Sequence, residues 1–534
     1  MKRRSNRDFA ALEAKIAGKR LEAPKLRNPS PWYWLPCLAA FLVYIPSLSF
    51  DFVHDDWPQI VGNVQIHSWS FLPRLLSTPL WSHLGQGSNG SYYRPLFSLW
   101  MLLVYTIAGL SPGLWHLSNV LLHVVVTFLV FRVSSAVLNG RVAAASAALL
   151  FAIHPVHIED VCWVSASNEM LYVGLLLLSL LFLFRSQSDG VVWLRLSIAA
   201  WGAALLTKET AIALLPIFVI LAFWGCSKSK LKERAKTALA YTAVAATYFA
   251  VRSIVLANML GKPSGEASWR QVLITSPIVA KFYLWKLVCP INLGPFHTLR
   301  LETEVTPAVL LTGATITAML FAIALVVIYS RKRQVWAVGA ALVFLPLLPA
   351  IAGIHFFQSV TFEAVHERYL YLPSVGLVML FGMFFEYARH RWRSFSAALA
   401  VVLVGTLACL NLSQQAPYRD EEANSGKMLR AYCSSTNDAD PNCEFMKTAD
   451  WRPRVVYPLL EQAIGTCHEG RRNDAQEILD SVKLSPSLSS VVFFQQDGYL
   501  NVVGGQFWSW PLKALYAADS ACMEQIGEAM PAPR

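Results

Sequence analysis

Charge is scarce in this sequence. Asp, Glu, Lys and Arg make up 15% of the 534 residues, hydrophobic residues make up 55%, and the mean hydropathy is +0.42. A soluble domain carries roughly a quarter charged residues, so a wholly soluble chain is excluded. A repeat array is lacking as well: no self-similarity runs at the period of about 34 residues that marks helical-repeat solenoids. Internal symmetry of the kind that marks many transporters is not visible either. Cysteine is sparse, at nine residues, and no HExxH zinc signature occurs. The formal charge of +11 forms no nucleic-acid footprint. Much of it crowds the N-terminus, from Lys2, Arg3, Arg4 and Arg7 to Lys25 and Arg27, and the rest sits in short loops. Positive loops kept inside set the orientation of a membrane chain.

What is present is a succession of apolar runs of about twenty residues separated by polar clusters, the pattern of a polytopic membrane protein. Residues 1–30 read as a cytoplasmic basic tail. They do not read as a cleavable signal peptide, because about thirty polar residues precede the first apolar run. Residues 31–412 read as the transmembrane domain, and 50–93 as a long first outer loop. Two apolar stretches, 95–109 and 273–290, decide the topology. The basic clusters Lys228–Lys236, Arg331–Arg333 and Arg389–Arg393 all fall inside only if those stretches lie along the outer interface. The expected fold class is a polytopic all-α membrane protein of about eleven spans, or thirteen if both stretches cross.

From about Ser413 the composition turns soluble, and 413–534 reads as a small, mainly α-helical outer domain. Four cysteines lie in it (Cys433, Cys443, Cys467 and Cys522), which in an oxidising compartment suggests two disulfides of unassigned pairing. Leu459 to Pro486 reads as a helical hairpin, equally compatible with a single degenerate repeat.

The candidate chemistry begins at Phe50-Asp51-Phe52-Val53-His54-Asp55-Asp56-Trp57, three carboxylates and a histidine just beyond the first span. Acidic residues beside lipid are costly and usually mark a site. An Asp at the head of an outer loop can take the proton of a hydroxyl attacking a sugar carbon, which makes Asp55 the candidate base and Asp56 its neighbour. Under the eleven-span topology His154, His157, Glu159, Lys208, Glu209, Glu367 and Arg368 fall on the same face as His54. Arg94, Lys208 and Arg368 are the candidates to hold a leaving phosphate, although each also fits an interfacial anchor. His54, His154, His157, Glu159 and Glu367 are candidates for shaping the site or positioning an acceptor. Asp55, His154 and His157 form an alternative ligand set for a divalent metal, and no cofactor is otherwise indicated.

Six segments occur in order: Val53-His54-Asp55-Asp56, Tyr93-Arg94-Pro95-Leu96, Trp115 to His123 (WHLSNVLLH), Leu150 to Glu159 (LFAIHPVHIE), Lys208-Glu209 and Glu367 to Ser374 (ERYLYLPS). Together they resemble the transmembrane half of the TMTC-type protein O-mannosyltransferases, over roughly residues 45–380. Those enzymes belong to the GT-C glycosyltransferases, with the classical protein O-mannosyltransferases and the bacterial lipid A aminoarabinose transferase. The resemblance implies a GT-C fold, a polyprenyl-phosphate-linked sugar donor, an inverting transfer and an essential carboxylate in the first outer loop, here Asp55. It places Arg94 beside the lipid phosphate, with Arg368 as a second contact. The chain departs from the family in lacking the tetratricopeptide array, which leaves protein, glycan and lipid headgroup open as acceptors. The short form points to a bacterial inner membrane, with the site and the C-terminal domain periplasmic. Two other readings stay open: a metal-assisted transferase of another envelope group, and a transporter of lipid-linked sugars or small solutes.

Overall fold

A computed structural model describes residues 31–84, 92–138, 140–223, 231–257, 267–295, 297, 299–330, 333–356, 360–361 and 365–420, together with 492–496, 499–503 and 508–511. The basic tail, the four C-terminal cysteines and the Leu459–Pro486 hairpin lie outside the described residues.

The molecule is a polytopic helical membrane protein, as expected. Seven helices are long and apolar enough to cross a bilayer: Pro112–Leu138, Val164–Ser186, Leu231–Leu256, Pro307–Tyr329, Val335–His355, Glu367–Arg391 and Arg393–Tyr418. An eighth span is added if the pair Arg141–Ile153 and Pro155–Cys162, bent by 51°, counts as one. The eleven expected spans would draw also on shorter apolar helices, among them Trp34–Ser49, Val191–Thr207 and Glu209–Phe223.

The two ambiguous stretches are both helical, Pro95–Ala108 and Trp269–Val288, and neither is among the seven. Pro95–Ala108 has 14 residues. At 1.5 Å per residue that is about 21 Å, short of a hydrocarbon core of about 30 Å. The segment 50–84 packs along this helix. Phe52, Ile60, Ile66, Leu75 and Leu80 share one core with Phe97, Met101, Leu102, Val104 and Trp115. Farther along, His67 stacks on Tyr105 at 4.1 Å, and Trp69 donates to the Thr106 hydroxyl at 3.0 Å. That segment is thereby a folded layer with its own apolar floor.

Val164–Ser186 sits at the centre of the bundle, whereas Pro307–Tyr329 buries only Val309 and presents its apolar surface outward. Close approach of the Tyr371–Arg391 helix to its neighbours rests on two glycines. A Cβ on Gly382 would meet the Ala143 carbonyl oxygen at 2.6 Å, and one on Gly376 would collide with the Gly339 carbonyl. Small residues let helices touch in this way where lipid supplies no hydrophobic drive between them. Buried polar pairs fix the same helices. His123 bonds the Tyr371 hydroxyl at 2.7 Å and the Ala152 carbonyl at 3.1 Å, and Asn411 donates to the Tyr44 hydroxyl at 2.9 Å. In a medium without water such groups need internal partners.

Strand content is slight. β1 (Leu299–Arg300) pairs antiparallel with β2 (Val360–Thr361). In the region expected as the outer C-terminal domain, the described residues form an antiparallel meander of β3 (Val492–Gln496), β4 (Tyr499–Val503) and β5 (Trp508–Pro511).

Candidate active site

The acidic turn is built around Asp56. Its backbone N–H donates to the Val53 carbonyl at 3.0 Å, while Val53 N–H donates to Asp56 Oδ2 at 3.1 Å. The other carboxylate oxygen, Oδ1, accepts from both Ser165 N–H at 2.7 Å and Ser165 Oγ at 2.5 Å. Asp56 is fully buried and fastens the first outer loop to the Val164–Ala166 turn. Burial pushes its carboxyl up to about 7, opposed by these hydrogen bonds.

Closing the turn leaves His54 at φ +49°, a left-handed conformation uncommon outside glycine. Its Nδ1 lies 3.0 Å from Asp55 Oδ1, and its ring leans on Trp163 at 5.2 Å. The Asp55 side chain keeps 30% of its surface exposed. Burial raises the Asp55 carboxyl, but His54, by charge and hydrogen bond, and then Arg368 and His366 outweigh it and hold the carboxyl below its usual range. Of the two adjacent carboxylates, Asp56 is committed to the fold and Asp55 is available and ionised.

The kink after Ile153 brings the next residues to the same place. His154 accepts from Val156 N–H at 3.3 Å and donates through Nε2 to the Leu287 carbonyl at 3.2 Å. His157 Nε2 lies 2.8 Å from the Ser374 hydroxyl. Both rings are buried in structural contacts. The ligand set Asp55, His154 and His157 is therefore not assembled, and among the described residues no group of three or more His, Cys, Asp or Glu is arranged to hold a metal ion. Glu159 accepts from Arg368 N–H at 3.0 Å, and its other oxygen lies 3.0 Å from His366 Nδ1 and 3.6 Å from the Arg368 guanidinium. Glu367 turns to a separate cluster, 2.5 Å from His297 Nε2 and 3.3 Å from Lys286 Nζ.

The three expected cations share one electrostatic neighbourhood, with Lys208 feeling both Arg94 and Arg368. Each has a carboxylate of its own. Arg94 forms a two-pronged pair with Glu209 at 2.7 and 3.1 Å and stacks over Tyr92 at 4.3 Å. Lys208 pairs with the buried Glu169 and lies 5.0 Å from the Tyr369 ring. Arg368 sits over Trp163 at 4.9 Å and near Tyr369 at 5.7 Å, and at 21% its side chain is the most exposed of the three. Asp160, fully buried between Glu159 and the charges of Lys208 and Arg368, has no hydrogen-bond partner for either oxygen among the described residues. Asp160 stands in the sequence at the end of the polar run from His154, whereas Glu169, Trp163 and Ser165 belong to no motif. The one signal for them was position, since all lie within ten residues of Glu159.

Residues 93–256 match the family described as dolichyl-phosphate-mannose-protein mannosyltransferase. The chain is similar to the protein O-mannosyl-transferase Tmtc1 of Drosophila melanogaster, 36% identical over 36% of this chain and 24% of that protein. It is similar over a longer stretch to human TMTC4, 26% identical over 73% of this chain and 61% of that one. The chain thus spans less than two thirds of the length of the curated relatives it matches. Among solved structures, ArnT from Cupriavidus metallidurans bound to undecaprenyl phosphate aligns with a TM-score of 0.42 and 15% identity over 95% of this chain and 90% of that one. The Archaeoglobus fulgidus oligosaccharyltransferase aligns at 0.40 and 13% over 78% and 58%. At those values neither alignment bears on what this chain does.

Proposed function

We propose that this chain is a membrane glycosyltransferase of the GT-C type, moving a sugar from a polyprenyl-phosphate donor to a hydroxyl acceptor at the outer face. The similarity to protein O-mannosyl-transferases supports the reaction class. The observation that carries the chemistry is the pairing of roles at the acidic turn, where Asp56 is locked by Ser165 while Asp55, ionised and 30% exposed, feels the charge of Arg368.

In this reading the acceptor hydroxyl hydrogen-bonds Asp55. Its oxygen bonds to the anomeric carbon as the proton passes to Asp55. The bond from that carbon to the phosphate oxygen breaks, and the phosphate leaves with the electron pair towards Arg368, whose guanidinium stabilises the charge. One displacement inverts the anomeric centre. Arg94 and Lys208 extend the positive field, each tempered by its own carboxylate.

The names of the relatives favour a protein Ser or Thr hydroxyl as acceptor, with glycan and lipid headgroups as the competing acceptors. The basic clusters, if kept inside, support a site on the outer face, and this reading puts that face on the periplasmic side of a bacterial inner membrane. The test is transfer from a panel of radiolabelled polyprenyl-phosphate sugars to an envelope extract, by wild type and Asp55→Asn. Label moved by wild type alone is the expected result. Equal transfer by a folded Asp55→Asn protein would remove Asp55 from the chemistry, and no transfer from any donor would remove the reaction class.

A further inference from the structure

Trp163 touches both halves of the proposed chemistry and is itself held rigidly. It ends the Ile158–Cys162 helix and is 2% exposed. Its carbonyl accepts from Asn119 Nδ2 at 3.3 Å and from Ala166 N–H at 3.1 Å. Two residues on, Ser165 is pinned to Asp56. The indole carries the Arg368 guanidinium at 4.9 Å and the His54 ring at 5.2 Å, and His54 in turn holds Asp55 at 3.0 Å. A single aromatic ring therefore joins the cation facing the leaving group to the partner of the base. An arginine stacked on an aromatic face is also fixed in direction.

No described residue uses the polar edge of that ring. Trp163 Nε1 is buried, and among the described residues it has no hydrogen-bond partner. An indole nitrogen can only donate, and a buried donor left without an acceptor is costly enough to call for an explanation. Trp115 and Trp201 find acceptors, on the Gly109 carbonyl at 2.9 Å and the Tyr241 carbonyl at 3.2 Å. Trp100 Nε1 shares the unpartnered state among the described residues, but Trp163 is the one of the two that stacks against Arg368 and His54.

We propose that Trp163 is the sugar-reading residue of the transfer site: its Nε1–H donates to a hydroxyl oxygen of the transferred sugar, while its ring positions Arg368 and His54. The inference rests on the glycosyl-transfer reading. In that reading the proton goes to Asp55 and the phosphate leaves towards Arg368, so the sugar ring occupies the space between those groups. Trp163 contacts Arg368 itself and His54, the partner of Asp55.

The test uses the full chain in nanodiscs, with three forms at position 163: tryptophan, Trp163→Phe, and 3-benzothienylalanine introduced by stop-codon suppression. The last keeps the bicyclic shape and replaces the N–H with sulfur, so it remains informative if Trp163→Phe fails to fold. The probes are undecaprenyl phosphate without sugar, the undecaprenyl-phosphate sugar that wild type uses best, and its monodeoxy analogues. Loss of one neutral hydrogen bond should raise the donor KM about threefold to tenfold. The kcat should change less, and binding of bare undecaprenyl phosphate should stay unchanged. One monodeoxy donor should be as poor with wild type as with the benzothienyl variant, and no worse with the variant, since the two losses remove the same bond. Unchanged kinetics in the benzothienyl variant would overturn the proposal while leaving glycosyl transfer standing. Equal weakening of bare phosphate and sugar donors would overturn it as well, because the N–H would then serve the phosphate. Failure of wild type to use any lipid-linked sugar would remove the reading beneath it and the inference together.

Discussion

Ser165 donates to one oxygen of Asp56 twice, from its backbone N–H at 2.7 Å and from its hydroxyl at 2.5 Å. This contact joins residues 109 positions apart and divides the work of the acidic pair. Removing the Asp56 carboxylate strands the N–H groups of Ser165 and Val53 in a buried place, each at about 1–3 kcal/mol. Asp56→Ala should therefore destabilise the protein by about 2–6 kcal/mol, whereas Asp56→Asn, which keeps an acceptor oxygen, should lose clearly less. Thermal unfolding in detergent measures both. An Asp56→Ala protein that melts with wild type yet transfers nothing would move Asp56 from the fold to the chemistry.

The Asp55 carboxyl lies below its usual range because His54, Arg368 and His366 together outweigh burial. A base with a lowered pKa stays ionised as the pH falls, so transfer should persist on the acid side to below the ordinary aspartate value of about 3.9. Removing the first of these groups, with His54→Phe, raises the carboxyl towards that value. The acid limb of kcat/KM should then move to higher pH while its alkaline side stays in place. A limb that does not shift would mean that the carboxyl being titrated is not Asp55. The same sign governs stability: the contribution of a lowered carboxyl is present above its unfolded pKa and is lost as the pH falls through the folded one.

The membrane architecture was legible because it is written in hydropathy and loop charge, which act residue by residue. The sequence singled out Asp55 over Asp56, but the anchoring of Asp56 was not legible, since it depends on Ser165, a residue with no signature of its own. The three cations were visible as types. Their neutralisation by Glu209, Glu169 and Glu159 was visible only in part, because Glu169 and Lys208 are 39 positions apart and meet through helix packing. His154 and His157, at a spacing that suggested a ligand pair, face the Leu287 carbonyl and the Ser374 hydroxyl instead. Pro155, a helix-end signal in the sequence, lies between them, and the helix ends at Ile153, so they share no helical face.

Arg368 combines a stack on Trp163 with a position 3.6 Å from Glu159. Lysine keeps the charge but has neither the planar face nor the fork of donors. Arg368→Lys should fold, retain weakened donor binding, and lose transfer by about 10–100-fold, on the scale of one misplaced transition-state contact. Single-turnover rates with saturating donor separate the two effects. A lysine variant with the wild-type rate would show that only charge matters at this position.

Arg94 and Glu209 form the most directional ion pair among the described residues, with two nitrogens on two carboxylate oxygens, and their side chains are only 10% and 19% exposed. Removing one member of a buried pair leaves an uncompensated charge, at about 3–5 kcal/mol, whereas removing both is often far milder. If Arg94 serves mainly this pair, Arg94→Met and Glu209→Leu should each lower the unfolding temperature strongly, and the double variant should recover most of it. If Arg94 also holds the donor phosphate, the double variant will regain stability without regaining affinity for undecaprenyl phosphate. Glu209→Gln, which frees the guanidinium, should then bind that lipid more tightly than wild type. Measuring stability and lipid affinity on the same four proteins separates the two roles. Recovery of both in the double variant would show that Arg94 is a strut beneath the site, leaving Arg368 to face the phosphate.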